Sequence, residues 1–149
     1  MKYGLEKYTD IINELKEIYI PFFKEVDIYP ESPEPNVDHD QFITLENANG
    51  LQLVTARESG KLVGFHISFV VEDIFYKHIL TGYVMCYYML PEYRGNGNGT
   101  KMFAFADERF KDRGVERIFM SRKIYMPNEK MFESLGYRQV ESGYTKAIL

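Results

Sequence analysis

The chain has 149 residues, of which 45% are hydrophobic and 27% charged, and its formal net charge is −4. These values are typical of a globular protein, favour a single domain over residues 1–149, and argue against nonspecific nucleic-acid binding. Cys86 is the only cysteine, which excludes an internal disulfide and a cysteine metal cluster. We find no apolar run long enough for a signal peptide or a membrane span, and therefore expect a cytoplasmic protein. We also expect that it binds no metal.

The first element is a predicted amphipathic helix. Apolar residues recur at helical spacing over residues 8–23, which is the pattern of a helix with one face in a core. Thr9 or Asp10 is suited to cap its beginning. Pro21 predicts a kink or a break, because a proline inside a helix removes one backbone hydrogen bond.

A loop and a second helix follow. Residues 29–36 contain three prolines and two glutamates, a composition that excludes regular structure. Asp38 and Gln41 then have the spacing of a capping box, which predicts a short helix to about Asn47.

The next part of the chain is rich in β-forming residues. Residues 51–57 and 62–71 predict two strands, and the intervening Glu58-Ser59-Gly60-Lys61 predicts a hairpin turn between them. Residues 74–79 fit either a loop or a short helix.

A strand, a turn and a helix then occur in direct succession. Residues 81–90 carry no formal charge and predict a strand covered on both faces, which Pro91 ends. Residues 94–99 read Arg-Gly-Asn-Gly-Asn-Gly, and the apolar spacing after them predicts a helix that Gly114 terminates. Small residues at a helix N-terminus leave backbone N–H groups pointing outward, so this turn predicts a phosphate-binding site.

Several interpretations of this turn are possible. A nucleotide-binding P-loop would place Gly-Lys-Ser/Thr after the glycines, whereas Lys101 here follows Thr100. A dinucleotide-binding fingerprint would need a glycine in the position of Thr100. A turn that binds no ligand is the remaining structural interpretation.

The last quarter of the chain predicts a strand over residues 115–121 and a short helix over residues 128–136. Residues 137–140 and 144–148 predict a closing hairpin. Because a strand–helix–strand connection joins parallel neighbours, the strands at 81–90 and 115–121 are expected to form a parallel pair.

These motifs together resemble the GNAT N-acetyltransferase family. Residues 94–99 are similar to its Arg/Gln-x-x-Gly-x-Gly/Ala signature, and YYMLPEYRG and NEKMFESLGY resemble its segments before the signature and near the C-terminus. The resemblance covers essentially the whole chain and is closest in wording to phage-encoded members. The family's first strand is either missing or reduced to the residues around Tyr3. The resemblance implies an α/β (α+β) fold: a mixed, mostly antiparallel sheet with a central splayed parallel strand pair, flanked by helices.

The resemblance implies acetyl-CoA as the cosubstrate. Backbone groups of one strand would pair with the pantetheine arm, N–H groups of the turn would bind the pyrophosphate, and an asparagine would lie on the cofactor side. The Lys and Arg surplus that begins at Arg94 has the sign that suits phosphates, although solvated surfaces explain it equally well. The cofactor-binding residues implied are Tyr88, Met89, Leu90, Arg94, Gly95, Asn96, Gly97, Asn98, Gly99, Thr100 and Asn128.

The implied reaction is direct transfer of an acetyl group to an amine, which needs proton acceptors and donors. Many family members donate a proton to the leaving thiolate from a tyrosine, but this chain has Phe132 at the nearest matching position. Tyr125 is the candidate that replaces it; otherwise it is an exposed loop aromatic. The candidates for the general base are His66, Glu72, Asp73 and His78.

The acceptor side of the family is formed by the first two helices, the loop between them and the end of the chain. In this chain the loop carries several carboxylates, which favours a cationic acceptor, either a small-molecule amine or a protein lysine or N-terminus; a solvated acidic loop is the alternative. The rival function is a non-catalytic acyl-CoA-binding protein that acts through protein–protein contacts. A monomer or homodimer without nucleic-acid or membrane partners is expected. The carboxylates are Asp27, Glu31, Glu34, Asp38 and Asp40.

Overall fold

A five-stranded sheet with helices on both faces forms the fold of the computed structural model, which describes residues 1–29 and 31–148. Residue 30, in the predicted proline-rich loop, lies outside the described residues. None of the described helices is long and apolar enough to cross a bilayer. In chain order the elements are β1 (Lys2–Leu5), α1 (Tyr8–Val26), α2 (His39–Asn47), β2 (Leu51–Glu58), β3 (Lys61–Glu72), β4 (Leu80–Met89), α3 (Asn98–Asp112), β5 (Arg117–Met120) and α4 (Glu129–Ser134).

The strands follow one another across the sheet in the order β1-β2-β3-β4-β5. The first three pairs are antiparallel and β4–β5 is parallel, so the predicted mixed α/β fold class is confirmed. One core lies between the sheet and helices α1 and α2. A second core lies between the opposite sheet face and helices α3 and α4. The sheet therefore has buried side chains on both faces, as the uncharged β4 sequence indicated.

The C-terminal hairpin predicted over residues 137–148 is not formed. The segment is irregular, and Tyr144 and Ile148 are 96% and 85% exposed. Alternating apolar residues make a strand only when one face is buried, and beyond Tyr137, which packs against Phe132, the side chains of this segment reach no core. As a consequence β5 is an edge strand of the described sheet, and the parallel pair lies at its edge rather than at its centre.

Helix α1 is not broken at Pro21, contrary to the prediction. It continues to Val26, and its one non-helical residue is Ile11, with φ −124° and ψ 18°. Proline removes a single hydrogen bond, whereas the neighbouring Tyr19 and Phe22 are buried in the core. Core packing therefore outweighs the lost bond.

The beginning of α1 is capped from another helix. Neither Thr9 nor Asp10 is the N-cap; that position is Lys7, whose side chain makes no capping hydrogen bond. Glu46 of α2 instead accepts hydrogen bonds from the backbone N–H groups of Tyr8 and Thr9. A capping carboxylate 37 residues away in the chain cannot be identified from local spacing.

Other local predictions are confirmed. Asp38 is the N-cap of α2, where its carboxylate accepts a hydrogen bond from the Gln41 N–H at 3.0 Å. Gly114 ends α3 with φ +79°, and Tyr3 lies in β1. Residues 74–79 form an irregular loop rather than a helix.

Gly82 in β4 allows α3 to approach the sheet. A Cβ atom at this position would lie 2.7 Å from Cε1 of Phe110, which is buried. We expect Gly82→Ala to lower the free energy of unfolding by about 1–3 kcal/mol, since overpacking displaces a ring in a dense core. Urea denaturation of the variant measures this. Gly4→Ala, where a Cβ meets nothing within 4 Å, is the control, and equal stability of the two variants would contradict the close approach.

Candidate active site

Strands β4 and β5 separate in the middle of β4. Their parallel register extends only to the pair Val84–Met120, while β4 continues to Met89. A register shift against β3 leaves Met85 as a bulge directly after the last pair. The end of β4 therefore has an edge without a neighbouring strand, which agrees with the expected splayed pair.

The register determines which backbone groups face this open edge. The Leu90 N–H donates to the Val63 carbonyl at 2.9 Å, and the Leu90 carbonyl accepts from the Tyr93 N–H at 3.0 Å. Hydrogen-bonded pairs alternate along antiparallel strands, so Tyr88 also directs its backbone toward β3. Of the three residues expected to pair with a ligand arm, only Met89 faces the open edge, and the pairing itself stays a prediction. Tyr87 faces that edge as well.

The glycine-rich turn exposes a row of backbone donors at the end of β4. Gly95 and Gly97 have φ values of +90° and +73°, and a Cβ on either would meet nothing within 4 Å. Gly97 is the N-cap of α3 and supplies no side-chain cap. Among the described residues, the N–H groups of residues 95–100 have no hydrogen-bond acceptor. Free N–H groups together with the helix dipole suit a phosphate ligand, so the turn fits the pyrophosphate of acetyl-CoA.

The Arg94 side chain is directed away from this turn. Its guanidinium forms two hydrogen bonds with the Glu25 carboxylate, at 2.7 and 2.8 Å, and its Nε donates to the Met89 carbonyl at 2.7 Å. The guanidinium also lies over the Tyr88 ring, 5.2 Å from its centroid. The hydrogen bond from Arg94 lowers the pKa of Glu25, so the pair is ionised. Arg94 therefore links the turn to α1 rather than carrying charge to the phosphates.

Asn98 stabilises the turn from within. Its Nδ2 donates to the Tyr93 carbonyl at 2.8 Å, and its own carbonyl accepts from the Tyr3 hydroxyl at 3.1 Å. A cavity of about 460 Å³ lies beside the turn, and Asn96 and Lys101 are among its lining residues. The signature residues thus form both the turn and the wall of the adjoining space.

A second cavity, of about 430 Å³, lies on the α1–α2 face of the sheet and reaches the β4 bulge at Met85. We call it the acidic groove, because three carboxylates line it together with apolar side chains and prolines. Glu31 and Asp40, which the sequence placed in the same acidic set, do not line it. Its carboxylates are Asp27, Glu34 and Asp38.

Comparison with known families identifies the family of this chain. A model described as "Acetyltransferase (GNAT) family" matches residues 12–137. The chain belongs to the GNAT acetyltransferase family. The predicted enzyme class, an acetyltransferase that uses acetyl-CoA, is thereby confirmed at the level of the family. A search of curated proteins finds no significant sequence match.

Solved structures show the same GNAT fold at low sequence identity. A ribosomal-protein-alanine N-acetyltransferase from Brucella melitensis biovar Abortus is 17% identical, with 99% of this chain and 100% of that chain covered and a TM-score of 0.71. A predicted acetyltransferase from Clostridium acetobutylicum, solved with acetyl-CoA, is 18% identical (98% and 95% covered, TM-score 0.70). An aminoglycoside acetyltransferase from an uncultured soil sample, in complex with sisomicin, is 17% identical (99% and 96% covered, TM-score 0.71).

The sequence analysis did not identify Tyr87, a residue of β4 that lies beside helix α4. Phe132 is buried, and its ring lies 5.7 Å from that of Tyr87 on β4. The Tyr87 hydroxyl accepts a hydrogen bond from Nδ2 of Asn128 at 3.3 Å. Burial raises the pKa of Tyr87 above its usual value. The signal in the sequence was the alternation of β4, which directs Tyr87 to the α4 side, but only the register with β3 identifies that side.

Asn128, which the resemblance assigns to the cofactor side, is the N-cap of α4. Its side chain makes no capping hydrogen bond there, and its Oδ1 atom is buried without a partner. A buried amide oxygen without a donor is unusual in a folded protein. Asn128 therefore has an acceptor available for a ligand.

Tyr125 does not join this cluster. Its hydroxyl donates to the Val26 carbonyl at the end of α1, and its ring packs edge-on against Tyr29 at 6.3 Å. The Tyr125 hydroxyl, which the sequence analysis assigned as the proton donor to the leaving thiolate, therefore donates its hydrogen bond to a backbone carbonyl instead. The pKa of Tyr125 is raised by burial.

Three of the four candidate bases lie at the end of β4 that is far from Met89, whereas His66 pairs with Tyr87 across β3 and β4. His66 is fully buried beneath α3, and burial lowers its pKa to about 4. Asp73 forms an ion pair with Arg117 at 2.7 Å. It follows Glu72, which pairs with Leu80 at the far end of β4, about 30 Å from Met89 at the usual rise per strand residue. His78 lies in the loop at that same end, so Glu72, Asp73 and His78 are distant from the open edge, and the choice of the general base stays a prediction. No set of three or more metal-ligating side chains is found in residues 1–29 and 31–148.

Proposed function

We propose that residues 1–149 form a single N-acetyltransferase domain that moves an acetyl group from acetyl-CoA to a primary amine by direct attack. The observation that carries the proposal is the row of free N–H groups over residues 95–100, which follows the part of β4 that has no neighbouring strand. These donors would bind the pyrophosphate, and the backbone of Met89 would pair with the pantetheine arm. The thioester would then lie along the open edge of β4.

The residues of the open edge supply what the transfer needs. An alkylamine has a pKa of about 10.4, so it must lose a proton to a carboxylate or to water before it attacks. The backbone N–H groups of Tyr87 and Met89 face the edge and are available to the oxyanion that forms on the carbonyl. The glycine turn follows the end of β4 and the acidic groove reaches the bulge at Met85, so the two substrates can approach this edge from different directions.

The acidic groove supports a cationic acceptor, either a small-molecule amine or a protein lysine or N-terminus. Its carboxylates lie beside the apolar rings of Phe23 and Phe42 and reach the bulge at Met85. A protonated amine on an apolar stem would pair its charge with these carboxylates and pack its stem against these rings. The aminoglycoside acetyltransferase that shares the fold was solved with the amine-bearing sisomicin.

Neutralising two groove carboxylates tests the acceptor class. We expect the double variant Asp27→Asn/Glu34→Gln to raise the acceptor's KM about tenfold, since each exposed ion pair contributes up to about 1 kcal/mol. The KM for acetyl-CoA should stay within about twofold. Steady-state kinetics with a polyamine and with a lysine peptide measure both constants.

The control is Glu31→Gln/Asp40→Asn, which removes the same charge from carboxylates that do not line the groove. An equal rise in the acceptor's KM for both double variants would mean that overall charge, and not the groove, attracts the amine. Asp38 is left intact because it caps α2.

Titration calorimetry with acetyl-CoA, followed by a thiol-release assay across a panel of amines, tests the function itself. Micromolar binding with turnover supports the enzyme. Binding without turnover of any amine would favour the non-catalytic acyl-CoA-binding protein instead. The monomer or homodimer state, the cytoplasmic location and the likeness to phage-encoded sequences stay hypotheses.

A further inference from the structure

Tyr87 places a hydroxyl group where β4 and β5 have separated. It lies three residues beyond Val84, the last residue of β4 that is paired with β5, and two residues before Met89. Its ring is held edge-to-face by Phe103 at 4.9 Å and by Phe132 at 5.7 Å. Contacts on two sides restrict the ring, so the position of the hydroxyl is defined by the core.

We propose that Tyr87 is the residue that protonates the sulfur of coenzyme A as the acetyl group leaves. This inference rests on the proposed acetyl transfer. The hydroxyl comes from strand β4 rather than from helix α4, whose matching position holds Phe132. The aromatic ring at Phe132 supports the Tyr87 ring and takes no part in the proton transfer.

The hydrogen bonding of Tyr87 leaves its proton available. Asn128 is the donor in their contact, because its Nδ2 points at the Tyr87 oxygen at 3.3 Å. The phenolic hydrogen has no acceptor among the described residues. Tyr125 differs in this respect, since its hydroxyl hydrogen is donated to the Val26 carbonyl.

The charge state of Tyr87 suits a proton donor. Burial is the main cause that raises its pKa, which keeps the phenol protonated at neutral pH. The hydrogen bond from Asn128 and the charge of Arg122 act in the opposite direction, and both stabilise the phenolate once the proton has left. The residue can therefore release its proton and recover it in each turnover.

The step balances as follows. The neutral amine nitrogen forms a bond to the acetyl carbon, and the carbon–sulfur bond breaks with its electron pair on sulfur. The Tyr87 Oη proton moves to that sulfur, which yields free coenzyme A and a phenolate. The phenolate takes a proton from solvent, and the extra proton of the acylated nitrogen is lost to water. No oxidant or reductant takes part.

Kinetics of Tyr87→Phe and Tyr83→Phe test the proposal. Both variants remove one hydroxyl from β4, but Tyr83 lies at the far end of the strand, near Asp73. We expect Tyr87→Phe to lower kcat about 100-fold, the low end of general acid catalysis. The KM for acetyl-CoA should change less than about threefold, because a phenylalanine keeps the ring in its place. The fall of kcat at high pH should also disappear in this variant, whereas Tyr83→Phe should behave as the wild type.

A spectroscopic titration gives a readout that does not depend on turnover. A hydroxyl that donates to the sulfur stabilises the thiolate and lowers the pKa of the thiol in bound coenzyme A. The ultraviolet absorbance of the thiolate, followed against pH, should show a higher thiol pKa in the complex of Tyr87→Phe than in those of the wild type and Tyr83→Phe.

The possible failures can be told apart. Equal kcat values and equal thiol pKa values for Tyr87→Phe and Tyr83→Phe would overturn the role of Tyr87 while a wild type that turns over upholds the acetyltransferase. A wild type that binds acetyl-CoA but acetylates no amine would overturn the proposed function, and the role in transfer would fall with it. In that case the thiol titration would still report whether the Tyr87 hydroxyl reaches the sulfur.

Discussion

Gly97→Asp is expected to weaken acetyl-CoA binding by more than about 100-fold. The backbone of Gly97 has a φ of +73°, a conformation that costs a residue with a side chain about 1–2 kcal/mol. The new carboxylate would also stand among the free N–H groups of residues 95–100, where it would repel the phosphates. At 1.4 kcal/mol for each tenfold, strain and repulsion together exceed 100-fold. Titration calorimetry with acetyl-CoA measures the loss.

Gly60→Asp is the matched control for this experiment. Gly60 has a φ of +82° in the turn between β2 and β3, and a Cβ there also meets nothing within 4 Å. It therefore undergoes similar backbone strain and the same change of charge, but away from the glycine-rich turn. A folded Gly97→Asp protein that binds acetyl-CoA as tightly as Gly60→Asp would refute the phosphate-binding turn.

His66 is expected to make the fold less stable at acid pH. It is fully buried, and burial lowers its pKa from 6.5 to about 4. Between these two pH values the unfolded chain binds a proton that the folded protein excludes, so the stability is complete above pH 6.5 and falls as the pH drops toward 4. The shift corresponds to about 3 kcal/mol of the free energy of unfolding.

Urea denaturation at several pH values, on the wild type and His66→Gln, isolates this contribution. Glu6, Glu14 and Glu25 have pKa values lowered mainly by hydrogen bonds from arginines, and they also titrate in acid. Their effect is common to both proteins and cancels in the difference. The wild type should lose about 3 kcal/mol relative to the variant from pH 6.5 to 4. Parallel curves would mean that His66 is hydrated or ionised in the folded protein.

Local chemistry was sufficient for most of the helices and strands and for the glycine-rich turn. The glycines of residues 94–99 adopt positive φ because they lack a side chain, and the apolar spacing after them makes α3 wherever that helix packs. The strand–helix–strand order then required a parallel β4–β5 pair. The fold class could therefore be predicted from these residues and the family from the resemblance of the motifs, while phosphate binding by the turn stays a prediction.

The C-terminal segment shows where local chemistry was insufficient. Its alternation predicted a hairpin over residues 137–148, yet the structure leaves it irregular. Alternation states only that a strand is possible, and the burial that would stabilise it depends on distant parts of the chain. Two other features also depend on tertiary contacts. Glu46 caps α1 from another helix, and α1 continues through Pro21.

The sequence by itself determined the glycine-rich turn, its helix and the family to which they belong, because these depend on residues that are neighbours in the chain. The tertiary structure alone decided which side chains meet at the open edge. In that structure Arg94 pairs with Glu25, the Tyr125 hydroxyl donates to a backbone carbonyl, and Tyr87 lies beside Asn128. The physical reason is that strand register and helix packing set these contacts, and both depend on the whole core rather than on any local spacing.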